Sequence, residues 1–295
     1  MSRLDLLLLS MVTIWGANFS LVKVALRDFP ELAFNAFRLV IASTIFLGAL
    51  WWQQSRAAAD DTALRPSLTR TDWARLVFLG VVGHFLYQFL FLGGVKRTSV
   101  GNGSLILGTT PVVVALLTSL AGHERVPPLK WLGAAISFAG LYIVVGQQVD
   151  WSAGGHLGDL LVFASTVCWA TYSVASVPLL RTHSPLVVTG YSISIGAALY
   201  TVVSLPTLLH VDWGAISLLS WSLMTASAVF ALAFAYLIWY TSVQRAGSTR
   251  TAAWSNVTPV VAMCIAAVWL GEPIAINQVI GSLAIFTGLF ITRRA

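Results

Sequence analysis

The chain has 295 residues, of which 57% are hydrophobic and only 9% charged, and its mean hydropathy is +0.82. Soluble domains carry roughly 25% charged residues, so a chain this poor in charge cannot cover a water-facing surface; a soluble enzyme is excluded and lipid is the main solvent. The net charge of +6 does not mark a nucleic-acid binder, because the basic residues sit at the ends of apolar stretches, where the positive-inside rule puts them.

A membrane helix needs ~20 apolar residues, which leaves room for about ten spans and little else. Taken in chain order, the apolar segments run 4–25, 32–52, 74–94, 100–121, 128–147, 157–177, 185–205, 218–241, 249–270 and 274–292. The first begins like a signal peptide, with Arg3 ahead of Leu6–Leu9. Its apolar run continues past Trp15 without a small-residue cleavage site, which predicts an uncleaved first span. The longest polar connection runs from Gln53 to Thr71 and holds Asp60, Asp61 and Arg56, Arg65 and Arg70. Cys168 and Cys264 lie inside apolar segments and read as small fillers, not as a disulfide or metal pair. With the N-terminus inside, twelve Lys and Arg fall inside (Arg3, Arg56, Arg65, Arg70, Arg75, Arg125, Lys130, Arg181, Arg245, Arg250, Arg293, Arg294) and four outside (Lys23, Arg27, Lys96, Arg97). The bias predicts that both termini are cytoplasmic.

The sequence repeats itself. A shift of 148 residues superposes Thr110-Pro111-Val112-Val113 on Thr258-Pro259-Val260-Val261, and gives ten identities in 34 between 110–143 and 258–291. A shift of 154 pairs Asp5-Leu6-Leu7 with Asp159-Leu160-Leu161, and Trp15 with Trp169; a shorter connection between the seventh and eighth spans absorbs the difference. Each copy, 1–148 and 149–295, therefore holds five spans. An odd number inserts the second copy upside down, and Arg97 outside against its mate Arg245 inside agrees. Inverted repeats supply the two equivalent states of alternating access.

Several motifs make the resemblance specific: Trp15-Gly16-Ala17-Asn18-Phe19; Gly158-Asp159-Leu160-Leu161 with Cys168-Trp169-Ala170; and Asn256-Val257-Thr258-Pro259-Val260 followed by Leu270-Gly271-Glu272. On these the chain resembles the EamA-type drug/metabolite transporters over essentially its whole length, departing at Gly122-His123-Glu124, where that family usually has Leu-Gly-Glu. The resemblance implies an all-α polytopic membrane protein in a bacterial inner membrane, with ten transmembrane helices in two inverted five-helix repeats around a central cavity. Within the superfamily it is most similar to exporters of amino acids, aromatic and other neutral ones; drugs or nucleoside-like metabolites are the alternative cargo. The expected partners are a small-molecule substrate and the lipid bilayer. No cofactor, metal or nucleic acid is expected, and oligomeric state leaves no signal.

The candidate residues are polar or aromatic groups at membrane depth, where a polar side chain is expensive. His84 and Gln88 share a face of the third span, and Gln88 has Tyr236 as its mate. Asn18 lies three residues after Trp15 and its mate Tyr172 three after Trp169. Asn102, Ser104, Trp254 and Asn256 add to the fourth and ninth spans. Together they predict aromatic walls with a few neutral hydrogen-bonding groups, suited to amphipathic solutes. Pro111 and Pro259, near the middle of the fourth and ninth spans, each free a backbone carbonyl, at Leu107 and Ser255, and read as symmetric hinges.

The carboxylates Asp5, Asp28, Glu31, Asp60, Asp61, Asp72, Glu124, Asp150, Asp159, Asp212 and Glu272 all fall at span ends or in connections. None sits at mid-membrane, where ion-coupled carriers often place one. The expectation is facilitated diffusion, or proton coupling through His84 alone. Arg38 is the one embedded charge. It either attracts a substrate carboxylate or, as is commoner, snorkels or caps helix carbonyls. An intramembrane enzyme needs a nucleophile–base pair, a carboxylate dyad or metal ligands, a channel needs a filter or charged rings, and the sequence has none of these patterns.

Overall fold

The computed structural model describes residues 2–58, 68–95, 97, 106–122, 126–145, 156–258, 260, 261, 264, 265 and 275–294, and these are helical throughout, without a strand. The helices are α1 (Arg3–Ala25), α2 (Glu31–Ala58), α3 (Arg70–Leu79), α4 (Tyr87–Val95), α5 (Thr110–Leu120), α6 (Pro128–Val145), α7 (His156–Ala175), α8 (Val177–Leu180), α9 (Pro185–His210), α10 (Leu218–Ala226), α11 (Ala235–Ala246), α12 (Ser248–Ala253) and α13 (Ile276–Arg294). Five continuous helical stretches are long and apolar enough to cross a membrane: Glu31–Arg56, Arg70–Gly94, Leu157–Leu180, Pro185–His210 and Leu218–Ala246. Every one of the ten predicted segments holds a helix, though parts of the fourth, fifth, ninth and tenth lie outside the described residues.

Local chemistry sets the helix starts. Ser2 and Asp5 form a capping box on α1, as do Thr69 and Asp72 on α3. Ser184 caps α9, with Pro185 in its first turn. Gly247, at φ +84°, separates α11 from α12 in a conformation that side-chain-bearing residues rarely adopt.

The helix interiors hold two departures that hydrophobic periodicity does not reveal. The third span passes through a π-helical segment, Gly80–Leu86, and the eighth through another, Ser227–Phe234. Shifted by 148, the two segments overlap almost residue for residue. A π segment inserts a residue into the ladder and rotates everything beyond it, so it re-aims the side chains of His84 and those that follow. The second departure lies at the prolines. Pro111 does not interrupt a running helix but stands in the first turn of α5, after a turn at 108–109, where its missing N–H is no loss. The Leu107 carbonyl accepts the Thr110 hydroxyl at 2.5 Å. At the related place a 3₁₀ turn, Trp254–Val257, precedes Thr258; Pro259 lies outside the described residues.

Packing between helices rests on close approach more than on bulk hydrophobicity, since lipid is as apolar as leucine. The α6–α13 crossing is the clearest case. A Cβ on Gly133 would meet the Gly288 carbonyl oxygen at 2.7 Å, and one on Gly140 would meet that of Gly281 at 2.6 Å. Between them the Ser137 hydroxyl donates to the Ile285 carbonyl at 3.2 Å. Because contacts advance along α6 as they retreat along α13, the two helices run antiparallel.

Contacts between helix ends join ends that the charge pattern assigns to the same side. On one side Arg250 pairs with Asp5 at 3.6 Å, His183 lies 3.3 Å from Asp72, and Gln244 Nε2 donates to the Leu180 carbonyl at 2.6 Å. On the other, the hydroxyls of Ser217 and Ser220 both donate to Asp28. Those hydrogen bonds, Ser217's first and Ser220's next, hold the Asp28 carboxyl below its ordinary range.

Candidate functional site

α1, α7, the Gly80–Leu86 segment with α4, and the Ser227–Phe234 segment with α11 converge on one cluster of rings. Trp15 stands 6.0 Å from Trp169, 6.3 Å from Tyr236 and 5.5 Å from Trp239 between ring centroids. Trp169 also meets Tyr236 at 5.3 Å and Tyr172 at 5.9 Å. Several of these contacts are edge-on or tilted, the arrangement the ring quadrupoles favour. Trp15 and Trp169, paired by the 154-residue shift, thus touch each other at the centre.

A polar network is threaded through the rings. His84 Nε2 lies 2.8 Å from the Tyr172 hydroxyl and 3.3 Å from Ser192 Oγ, and Tyr172 and Ser192 are themselves 2.9 Å apart. The His84 ring is 5.6 Å from Tyr236, and Gln88 Nε2 donates to the Tyr236 hydroxyl at 3.3 Å. His84 is fully buried, and its Nδ1 has no hydrogen-bond partner among the described residues. The approach is close because α9 offers Gly196 there: a Cβ on Gly196 would collide with His84 Cβ and with the Gly80 carbonyl.

Six predicted residues (Trp15, His84, Gln88, Trp169, Tyr172 and Tyr236) therefore meet in one cluster. Asn18 adjoins it, its Oδ1 accepting from the Ser227 hydroxyl at 2.5 Å, and Trp15 Nε1 donates to the Ala231 carbonyl at 3.1 Å. Both contacts land on the second π segment. Trp254 and Asn256 lie buried on the 3₁₀ turn, which packs against α1, α5, α6 and α13. Neither amide atom of Asn256 has a hydrogen-bond partner among the described residues. Asn102 and Ser104 lie outside the described residues.

Sequence reasoning missed Ser192, Ser173, Trp239 and Tyr240. Trp239 donates to Ser173 at 3.2 Å, and Tyr240 stacks edge-on against Tyr172 at 4.8 Å. The available signal was helical spacing: Trp239 and Tyr240 follow Tyr236 by three and four residues and so share its face. Two apolar grooves, one lined by Phe78, Leu117, Leu120 and Val174 and the other by Trp221, Val229 and Phe230, lie elsewhere. Among the described residues no group of three or more metal-ligating side chains occurs.

The bundle of apolar helices around a buried polar cluster defines a polytopic helical membrane protein. The chain belongs to the EamA-like transporter family, whose model matches residues 2–146 and again residues 156–294. It is 30% identical to the uncharacterised transporter YyaM of Bacillus subtilis strain 168, over 96% of this chain and 91% of that one. It is 27% identical to an uncharacterised transporter of Archaeoglobus fulgidus, covering 99% and 97%. A probable terminal-alkyne amino-acid exporter of Streptantibioticus cattleyicolor is 26% identical, covering 98% and 92%. A solved crystal structure 20% identical in sequence matches with a TM-score of 0.80, covering 99% of this chain and 96% of that one, which establishes the fold.

Proposed function

We propose that this transporter exports small amphipathic metabolites, aromatic and other neutral amino acids foremost, by alternating access through its centre. The observation that carries the reading is the cluster of Trp15, Trp169, Tyr172 and Tyr236 threaded by the His84–Tyr172–Ser192 and Gln88–Tyr236 hydrogen bonds. Flat aromatic walls suit an apolar or aromatic side chain, and reorienting neutral dipoles suit a solute that must leave as readily as it enters. The amino-acid exporter among the relatives adds support.

In this proposal the chain crosses a bacterial inner membrane ten times, with both termini cytoplasmic and residues 1–148 and 149–295 as inverted halves. The antiparallel run of α6 and α13 supports the inversion, as do the π segments 148 residues apart. The Thr110-Pro111 and Thr258-Pro259 steps are the hinges, the first just after the turn at 108–109; Asn102, Ser104, Trp254 and Asn256 line the route beside them. The described carboxylates lie at helix ends, so transport is facilitated diffusion, with His84 the one central group able to couple a proton. The protein works as a carrier and not as an enzyme.

The test is counterflow in proteoliposomes with labelled amino acids, nucleosides and cationic drugs, with and without a pH gradient. Saturable counterflow led by phenylalanine, tryptophan or tyrosine is expected. Exchange of drugs or nucleosides alone overturns the substrate class, and flux driven by the pH gradient overturns the passive mechanism in favour of coupling through His84.

A further inference from the structure

The centre has one further wall. Arg38 lies seven residues into α2, about 10 Å along the axis from Glu31, and only 6% of it is exposed. It neither snorkels out nor caps a helix end. Its Nη1 donates to the Asn35 Oδ1 at 3.2 Å, and its guanidinium stands 5.3 Å from the centre of the Phe34 ring. The ion pairs among the described residues, Arg250–Asp5 and His183–Asp72, do not include it. Its helix, α2, packs along α9, which carries Tyr200, and against the Ser227–Phe234 segment, which runs directly into α11 and Tyr236 of the aromatic cluster.

Around this cation sit three polar atoms that complete no hydrogen bond among the described residues: Arg38 Nε, Asn35 Nδ2 and the Tyr200 hydroxyl. Asn35 is fully buried and Tyr200 is 1% exposed. A buried charge without a counter-ion is among the most expensive arrangements a bilayer-embedded protein can hold. The first two atoms only donate, and the third is able to. A cluster of donors around a cation that has no counter-ion among the described residues lacks one component, an anion with two acceptor oxygens. The 154-residue shift also pairs Arg38 with Ser192, which hydrogen-bonds His84 and Tyr172 at the centre.

We propose that Arg38, Asn35 and Tyr200 form a carboxylate-binding site, so that the transported solute carries a carboxylate held there while its apolar or aromatic body lies against the rings. A guanidinium presents parallel donors that match a carboxylate, and the amide and hydroxyl complete its shell. The inference rests on the carrier function proposed above and adds the recognition element that the neutral His84 network lacks.

The experiment compares solutes that share a phenyl body: labelled phenylalanine, 3-phenylpropionate without the amine, and phenylalaninol without the carboxylate. Each is measured in counterflow with the full chain in phosphatidylcholine liposomes. The wild type should prefer the two carboxylates, and Arg38→Gln should lower their flux by at least tenfold while leaving phenylalaninol flux within about twofold. Asn35→Asp covers the case in which Arg38→Gln fails to fold. It supplies an internal anion, and should raise thermal stability while also cutting carboxylate flux at least tenfold. Carboxylate flux unaltered in either variant, or a wild type that carries phenylalaninol as well as phenylalanine, overturns the anion site and leaves the carrier standing. A wild type that moves none of the three overturns the aromatic-solute reading itself, and the anion site with it.

Discussion

The α6–α13 crossing and the aromatic centre treat the internal repeat in opposite ways. At the crossing the touching glycines are repeat mates, Gly133 of Gly281 and Gly140 of Gly288, packed in a self-complementary pattern in which Gly133 meets Gly288 and Gly140 meets Gly281. At the centre only Trp15 and Trp169 agree. Asn18 stands opposite Tyr172, Arg38 opposite Ser192, His84 opposite Leu232 and Gln88 opposite Tyr236. Backbone contact at a two-fold crossing leaves each copy the same room, so both keep the same small residue. A solute has no two-fold axis, so the groups that hold it must differ between the halves. On the proposed function, symmetry marks the scaffold and its loss marks the site.

The comparison is most easily broken at the crossing. Gly288→Leu drives a side chain into the Gly133 carbonyl and Ser137, and overpacking of this kind costs about 1–3 kcal/mol or more. A large fall in thermal stability, or loss of monodisperse protein in detergent, is expected. Gly48→Leu, where an added Cβ meets nothing within 4 Å, should leave the melting temperature unchanged. Equal effects at the two glycines would contradict the packing account. At the centre, Tyr172→Phe removes the hydroxyl shared by His84 and Ser192. His84 and Ser192 keep each other but each loses one hydrogen bond, worth about 1 kcal/mol, so flux should fall about tenfold while the circular-dichroism spectrum stays helical. Flux at the wild-type rate would remove the network from the transport path. Pro111→Ala restores a backbone donor at the start of α5. It should slow exchange several-fold with little change in half-saturation, and unaltered exchange removes the hinge.

The smallest effect belongs to the outer rim. Because Ser217 and Ser220 depress the Asp28 carboxyl, its contribution to stability is fully present above the ordinary carboxylate range and is lost as pH falls through the depressed value. Asp28→Asn should therefore melt slightly below the wild type at neutral pH and converge with it in strong acid. A difference that widens with acidity would reverse the assignment.

The helices were legible in the sequence because bilayer thickness leaves few choices of length for an apolar run. Trp15, His84, Gln88, Trp169, Tyr172 and Tyr236 were legible because polar and aromatic groups at depth, placed on shared faces, have few other uses. The π segments were not. A ladder shifted by one residue leaves hydrophobicity almost unchanged, yet it decides that His84 turns toward Tyr172 and that Asn18 finds Ser227. The place of Pro111 was misjudged for a related reason: an apolar run does not disclose the turn at 108–109 that restarts the helix before it. Arg38 was visible as an embedded charge, but snorkelling and buried arginines share one sequence pattern. Only the packing of α2 on α9 and on the second π segment separates them.

The central claim, a solute held among the aromatic rings and released alternately to the two sides, is tested most directly by trans-stimulation. Proteoliposomes loaded with labelled phenylalanine are diluted into buffer with or without unlabelled phenylalanine. The account predicts efflux that saturates with internal concentration, accelerates when phenylalanine is present outside, and loses both properties in Tyr172→Phe. Efflux that rises linearly with concentration and ignores the external solute would contradict it.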